Sequence, residues 1–127
     1  MDCLLDTHTF LWFIAGSSEL SLKAKEIILN PENKKFVSIV SFWEIAIKLK
    51  LEKIQLDMSF KELKNQAVIN GFRILPILFE ETLKLTTLEL HHCDPFDRML
   101  ISQALQNEFI IISKDPEFNK YTKNVTW

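Results

Sequence analysis

Glycine is scarce in this 127-residue chain: there are two, Gly16 and Gly71. A glycine-rich loop that cradles phosphates needs several within one turn, so a P-loop and a dinucleotide-binding fingerprint are both excluded. No serine-hydrolase elbow occurs either. Four prolines and no low-complexity stretch leave little scope for a long flexible linker. The two cysteines, Cys3 and Cys93, show no C-x-x-C spacing and read as small thiols in a reducing compartment. The longest apolar runs, Phe10–Ala15 and Ile74–Phe79, are far too short to span a bilayer. The opening Met1-Asp2 lacks the basic segment of a secretory signal, so a cytoplasmic protein is expected, with no membrane partner. Charge of one sign is also missing. The formal net charge is −2 and the pI about 5.9, which gives no global attraction to nucleic acid. A nucleic-acid substrate would need a local basic patch or metal-mediated contact with phosphates. Lys48, Lys50 and Lys53 come nearest to such a patch and read first as solvated surface lysines.

What is present is an ordinary globular composition, 47% hydrophobic and 25% charged, at a length that suits a single domain over 1–127 with one real core. Cys3–Leu5 reads as a short buried strand. Thr9–Ala15 is rich in large apolar residues and is stopped by Gly16-Ser17-Ser18. Ser21 is placed to cap a helix reaching Leu29, and Asn30–Asn33 is a turn. Phe36–Val40 is β-branched and aromatic, a second strand. Ser41–Leu51 carries Phe42, Ile45, Ala46 and Leu49 at helical spacing. Ser59 opens a further helix that ends at Asn70-Gly71. Phe72–Leu75 is a third strand, Glu80–Leu90 a helix, and Asp94-Pro95 the start of another through Asn107. Phe109–Ser113 is a fourth strand, followed by a turn over Pro116–Tyr121 and a final edge strand at Val125–Trp127. Strands alternating with helices imply βαβ units and a parallel sheet of four to five strands covered on both faces. Sites in such sheets form beyond the carboxyl ends of the strands, where strand order reverses.

Four acids stand at those breaks: Asp6, Glu44, Asp97 and Asp115. Each has a bland reading. Asp6 and Asp115 suit helix N-caps. Glu44 completes an S-x-x-E capping box with Ser41, is spaced for an ion pair with Lys48, and falls off the apolar stripe of its helix. Asp94 before Pro95 is a natural cap, with an outer helper role second. Asp97 differs, because its neighbours at i+3, i+4 and i+7 are Leu100, Ile101 and Ala104. That stripe points inward, and a carboxylate directed inward needs a partner. A metal ion or Arg98 would serve, though Arg98 faces about 100° away on the helix. Gathered at one sheet edge, four carboxylates repel unless a divalent cation neutralises them, and hard Mg²⁺ or Mn²⁺ prefers such oxygen ligands. Ser113 is placed to orient a carboxylate or a water. His8, His91 and His92 lack zinc spacing. Phe42, Trp43, Ile45, Ala46, Ile47, Leu49 and Leu51 spread apolar surface around more than one helix face, which suits either two-sided burial or a partner surface.

The segments LLDTHTFLW, SFWEIAIK, HHCDPFDRMLISQA and ISKDPEF, in that order, together resemble PIN-domain ribonucleases, nearest to the VapC-like toxins of bacterial type II toxin–antitoxin pairs. The resemblance implies a three-layer α/β/α sandwich with a central parallel sheet, an acidic site binding Mg²⁺ or Mn²⁺, and endonucleolytic cleavage of RNA. It maps the acidic quartet onto Asp6, Glu44, Asp97 and Asp115, with Asp94 as an auxiliary acid and Ser113 at a position usually threonine or serine. It also implies a homodimer and a small antitoxin protein as partner. A phosphatase with an aspartyl nucleophile is disfavoured because D-x-D would need an acid at His8. A receiver-like signalling domain is disfavoured because the third strand leads to Pro76 and no aspartate. A partner-binding module whose acids only cap helices stays open.

Overall fold

Strands and helices alternate along the chain. The computed structural model describes residues 1–127. In order come β1 (Asp2–Leu5), α1 (Thr7–Ala15), α2 (Leu22–Leu29), β2 (Lys34–Ser38), α3 (Ile39–Lys50) and α4 (Phe60–Ile69). Then follow β3 (Arg73–Leu75), α5 (Phe79–Leu85), α6 (Pro95–Asn107), β4 (Ile110–Ile112), a short 3-10 helix (Pro116–Lys120) and β5 (Val125–Thr126). The sheet is five-stranded, in the order β3-β2-β1-β4-β5, and every pairing is parallel. This is the three-layer arrangement expected from the sequence. The chain winds outward from β1 to β3 on one side and returns to place β4 on the other, so strand order reverses between β1 and β4. Their register sets Leu5 opposite Ile112, and thus Asp6 beside Ser113.

Side chains of a strand alternate between faces, and the two cores follow that alternation. Cys3 and Leu5 point to one core with Phe10, Val37, Phe42, Ile45 and Leu63. Leu4 points to the other with Val40, Leu100, Ile101, Ile111 and Phe118. Phe10 is fully buried and meets Phe42 and Phe72 edge-on at centroid distances of 5.7 and 5.5 Å. Phe10→Ala is therefore expected to lower unfolding free energy by about 3–5 kcal/mol, read from denaturant titration. A loss under 1 kcal/mol would mean that this ring does not hold α1 to the sheet. No helix is long and apolar enough to cross a membrane.

Several element boundaries depart from the sequence reading, and three of them bear on the acidic residues or their surroundings. Ile39 and Val40 are helical rather than strand, because the β2–β3 ladder ends at Ser38 opposite Leu75 and the Ser38 hydroxyl then accepts the Val40 N–H at 3.0 Å. Ser38, not Ser41, is the N-cap of α3, so no Ser41–Glu44 capping box exists and Glu44 falls in the second turn. The helix expected over Glu80–Leu90 stops at Leu85, where the hydroxyls of Thr86 and Thr87 bond back to the carbonyls of Leu83 and Lys84.

Candidate active site

The carboxyl ends of β1 and β4 open onto an acidic crevice. Asp6 follows β1 directly and caps α1, its Oδ1 accepting the Thr9 N–H at 2.9 Å. Its Oδ2 accepts the Ser113 hydroxyl at 2.5 Å. The residue is 6% exposed. Burial pushes its carboxyl up, while the Ser113 and Thr9 hydrogen bonds pull it back. Ser113 also accepts the Asp115 N–H at 3.0 Å, tying the loop after β4 to the residue after β1. Asp115 caps the 3-10 helix through Oδ1 and the Glu117 N–H, 2.9 Å. Asp6 and Asp115, with His8, Trp12 and Lys114, line a crevice of about 300 Å³.

Glu44 is buried, at 5% exposure, because α3 turns this side toward α1. The Thr7 hydroxyl donates to Oε1 at 2.7 Å, and Lys48 donates to Oε2 at 2.6 Å. The i, i+4 ion pair seen in the sequence is real. Off the apolar stripe of its own helix, Glu44 is covered by Thr7 of α1, whose hydroxyl also meets the Ser41 hydroxyl.

Asp94 and Asp97 share the start of α6. Asp94 is the N-cap, its Oδ1 accepting the N–H groups of Phe96 and Asp97 at 2.9 and 3.0 Å. Asp97 is the third helical residue and is mostly buried. Arg98 turns away from it, donating to the carbonyls of Leu88 and Glu89 and to the Tyr121 hydroxyl. The cation-forming group nearest Asp97 is instead His92, whose Nε2 lies 3.5 Å from Oδ2. Asp97 is raised to about 7, first by burial and then by the charges of Asp94, Asp6, Asp115 and Glu44. The other four acids thus all act on Asp97.

They do not form a finished coordination shell. No three His, Cys, Asp or Glu side chains lie close enough together to hold an ion. The fit to a metal is therefore one of charge and donor type. The caps each use one oxygen of Asp94 and Asp115, and an ionised carboxylate has about four acceptor positions. Capping and ligation are therefore compatible in the same side chain. Three neighbours escaped the sequence reading. Thr7 and Ser41 sit on separate helices from each other, and His92 acquires meaning only through Tyr121, far along the chain.

The fold has close counterparts among solved structures. VapBC2 from Rickettsia felis, bound to a DNA fragment from its promoter, superposes with a TM-score of 0.69 at 14% identity, covering 98% of this chain and 96% of that one. A toxin–antitoxin complex from Klebsiella pneumoniae gives 0.66 at 14% identity, with the same coverage. The PIN domain endonuclease Utp24 gives 0.52 at 14% identity, covering 94% of this chain and 75% of that one. No curated protein sequence matches. The family model described as PIN domain matches residues 3–124. That match spans nearly the whole chain, so the chain belongs to the PIN domain family.

Proposed function

We propose that this protein is an Mg²⁺- or Mn²⁺-dependent endoribonuclease and the toxin of a toxin–antitoxin pair. PIN domains are nucleases that depend on divalent metals, which is the general ground for the reading. The observation that carries it here is Asp97: a mostly buried carboxyl raised to about 7 with four other acids as its charged environment. A chain that needed Asp94, Asp6 and Asp115 only as caps would have no use for a fourth acid turned into their midst.

In this reading Asp6, Asp97 and Glu44 would hold the principal ion, and Asp115 a second ion or the attacking water. The ion supplies a water of lowered pKa and offsets charge growing on the scissile phosphate. Ser113 keeps the Asp6 carboxylate fixed in rotation, and Thr7 does the same for Glu44. Asp94 adds negative field at the lip. No side chain is needed as a nucleophile. RNA is the substrate and the enzyme works in the cytoplasm.

Two surfaces support the partners. A groove between α1 and the 54–58 loop, lined by Leu11, Trp12, Ile14, Leu56, Met58 and Leu63, runs beside the crevice and suits a short apolar segment of an antitoxin. On α3 and its C-cap, Ile39, Trp43, Ile47 and Leu51 lie exposed at four-residue intervals, one stripe that would be covered in a homodimer.

The test is incubation of purified protein with mixed single-stranded and hairpin RNA, with Mn²⁺ or with EDTA, followed by sequencing of the ends. New internal ends are expected only with the metal. Equal cleavage in EDTA, or release of phosphate from monoesters with intact RNA, would refute the proposal.

A further inference from the structure

Tyr121 receives more hydrogen bonds than a phenol oxygen has lone pairs. Its oxygen lies 3.2 Å from the His91 N–H, 3.1 Å from the His92 N–H and 3.1 Å from Arg98 Nη1. Arg98 is itself pinned by the carbonyls of Glu89 and Leu88 at 2.9 and 3.3 Å. With its acceptor capacity filled, the one thing Tyr121 has left to offer is its O–H. Two acceptors are within reach: His92 Nδ1 at 2.8 Å and the His92 carbonyl at 3.5 Å. The first is a good hydrogen bond and the second is at the limit. Nδ1 is therefore the bare nitrogen, and a neutral His92 carries its proton on Nε2. That nitrogen is buried with no hydrogen-bond partner, and it lies 3.5 Å from Asp97 Oδ2.

We infer that His92 is a positioning residue for Asp97: Tyr121 locks its imidazole in the Nε2–H tautomer, and that N–H is the unspent donor beside one oxygen of the Asp97 carboxylate. The inference rests on the metal-centre reading above for its consequence, since outer partners of this kind fix the orientation of a ligating carboxylate. It does not rest on that reading for the tautomer. Arg98 braces the tyrosine, so the strap Leu88–His92 is joined to the start of α6 through one hydroxyl. Arg98 thus gains a role that does not require it to touch Asp97.

The chain has three histidines, so long-range ¹H–¹⁵N imidazole spectra at about pH 8, above the ordinary histidine range, resolve each ring in the metal-free protein. His92, assigned by its loss in His92→Ala, is expected in the Nε2–H pattern, and Tyr121→Phe should shift it toward the Nδ1–H form. Mn²⁺ affinity, read from the electron paramagnetic resonance of free Mn²⁺, should fall roughly 10–100-fold in His92→Ala. His92→Gln keeps an N–H at the place of Nε2 and should recover most of it. An Nδ1–H tautomer in the unaltered protein overturns the inference. So does a folded His92→Ala that binds Mn²⁺ as the parent does. A His92→Ala too unstable to fold leaves the comparison of His92→Gln with His92→Leu to decide in the same way. A parent protein that binds no Mn²⁺ removes the metal-centre reading, and the tautomer then decides the inference alone.

Discussion

Asp97→Asn is expected to abolish RNA cleavage and, without metal, to raise the melting temperature. The two effects have one origin. Asparagine keeps the shape of the side chain and removes a charge that burial and four neighbouring acids all oppose. The folded state is thereby relieved of repulsion that the unfolded chain, with its acids spread through solvent, does not feel. Function suffers because a neutral amide is a poor ligand for a hard cation. Loss of a direct ligand should exceed the 10–100-fold drop typical of outer partners, so a fall of more than roughly 100-fold in cleavage rate is expected. The stabilisation has a pH signature. Above about pH 7 Asp97 is ionised and the full gain of the variant appears. Below that the parent carboxyl is protonated and neutral like the amide, so the difference closes as pH falls. A variant that melted lower than the parent at pH 8, or that cleaved at the parental rate, would refute the assignment of Asp97. The usual structural mutation lowers activity and stability together, and these two move in opposite directions.

The legibility of this centre in the sequence divides along a physical line. Features fixed by neighbours in the chain could be read. Ser21, Ser59 and Asp94 cap their helices as their context requires. The alternation of strands and helices led to the parallel sheet and to its switch point. Asp97 was readable because three apolar partners on its own helix show which way it points. What depended on residues distant in sequence was misread or unseen. Ser38 and Ser41 are equally good caps on paper, and only the end of the β2–β3 ladder at Ser38 decides between them. Taking Ser41 as the cap puts Glu44 in the first turn, whereas it lies in the second, where α1 covers it with Thr7. Arg98 was a reasonable partner for Asp97 by proximity in sequence, but the carbonyls of Leu88 and Glu89 claim it. His92 offers the sequence only a failed zinc spacing, since its side-chain contact is with Tyr121. Tertiary contact overrides local preference most where a site draws on several elements, and this one draws on β1, α1, α3, α6 and the loop after β4.

Adding Mn²⁺ should cancel most of the fall in stability that the metal-free protein shows as pH rises. In the metal-free protein Asp97 holds a proton up to about pH 7, whereas in the unfolded chain it releases that proton at about pH 4. Between these values the folded state binds more protons than the unfolded state, so stability falls as pH rises through the window. Asp6, raised by burial, adds to the same slope. With Mn²⁺ present the carboxylate form is the one that binds, and protons compete with the ion. The metal's contribution is then small near pH 5, grows as pH rises, and is complete above about pH 7. At 100 times its dissociation constant the ion should stabilise by about 2.7 kcal/mol, a rise on the order of 10 °C for a chain of this size. The two curves of melting temperature against pH should diverge steadily from acid to neutral pH. Salt alone screens repulsion between exposed charges, so the comparison needs NaCl at matched ionic strength, which should recover only a minor part of the shift. Asp97→Asn should flatten the metal-free slope and remove most of the Mn²⁺ response together. A shift of equal size at pH 5 and pH 8, or one reproduced by NaCl, would place any bound Mn²⁺ elsewhere than among Asp6, Glu44, Asp97 and Asp115.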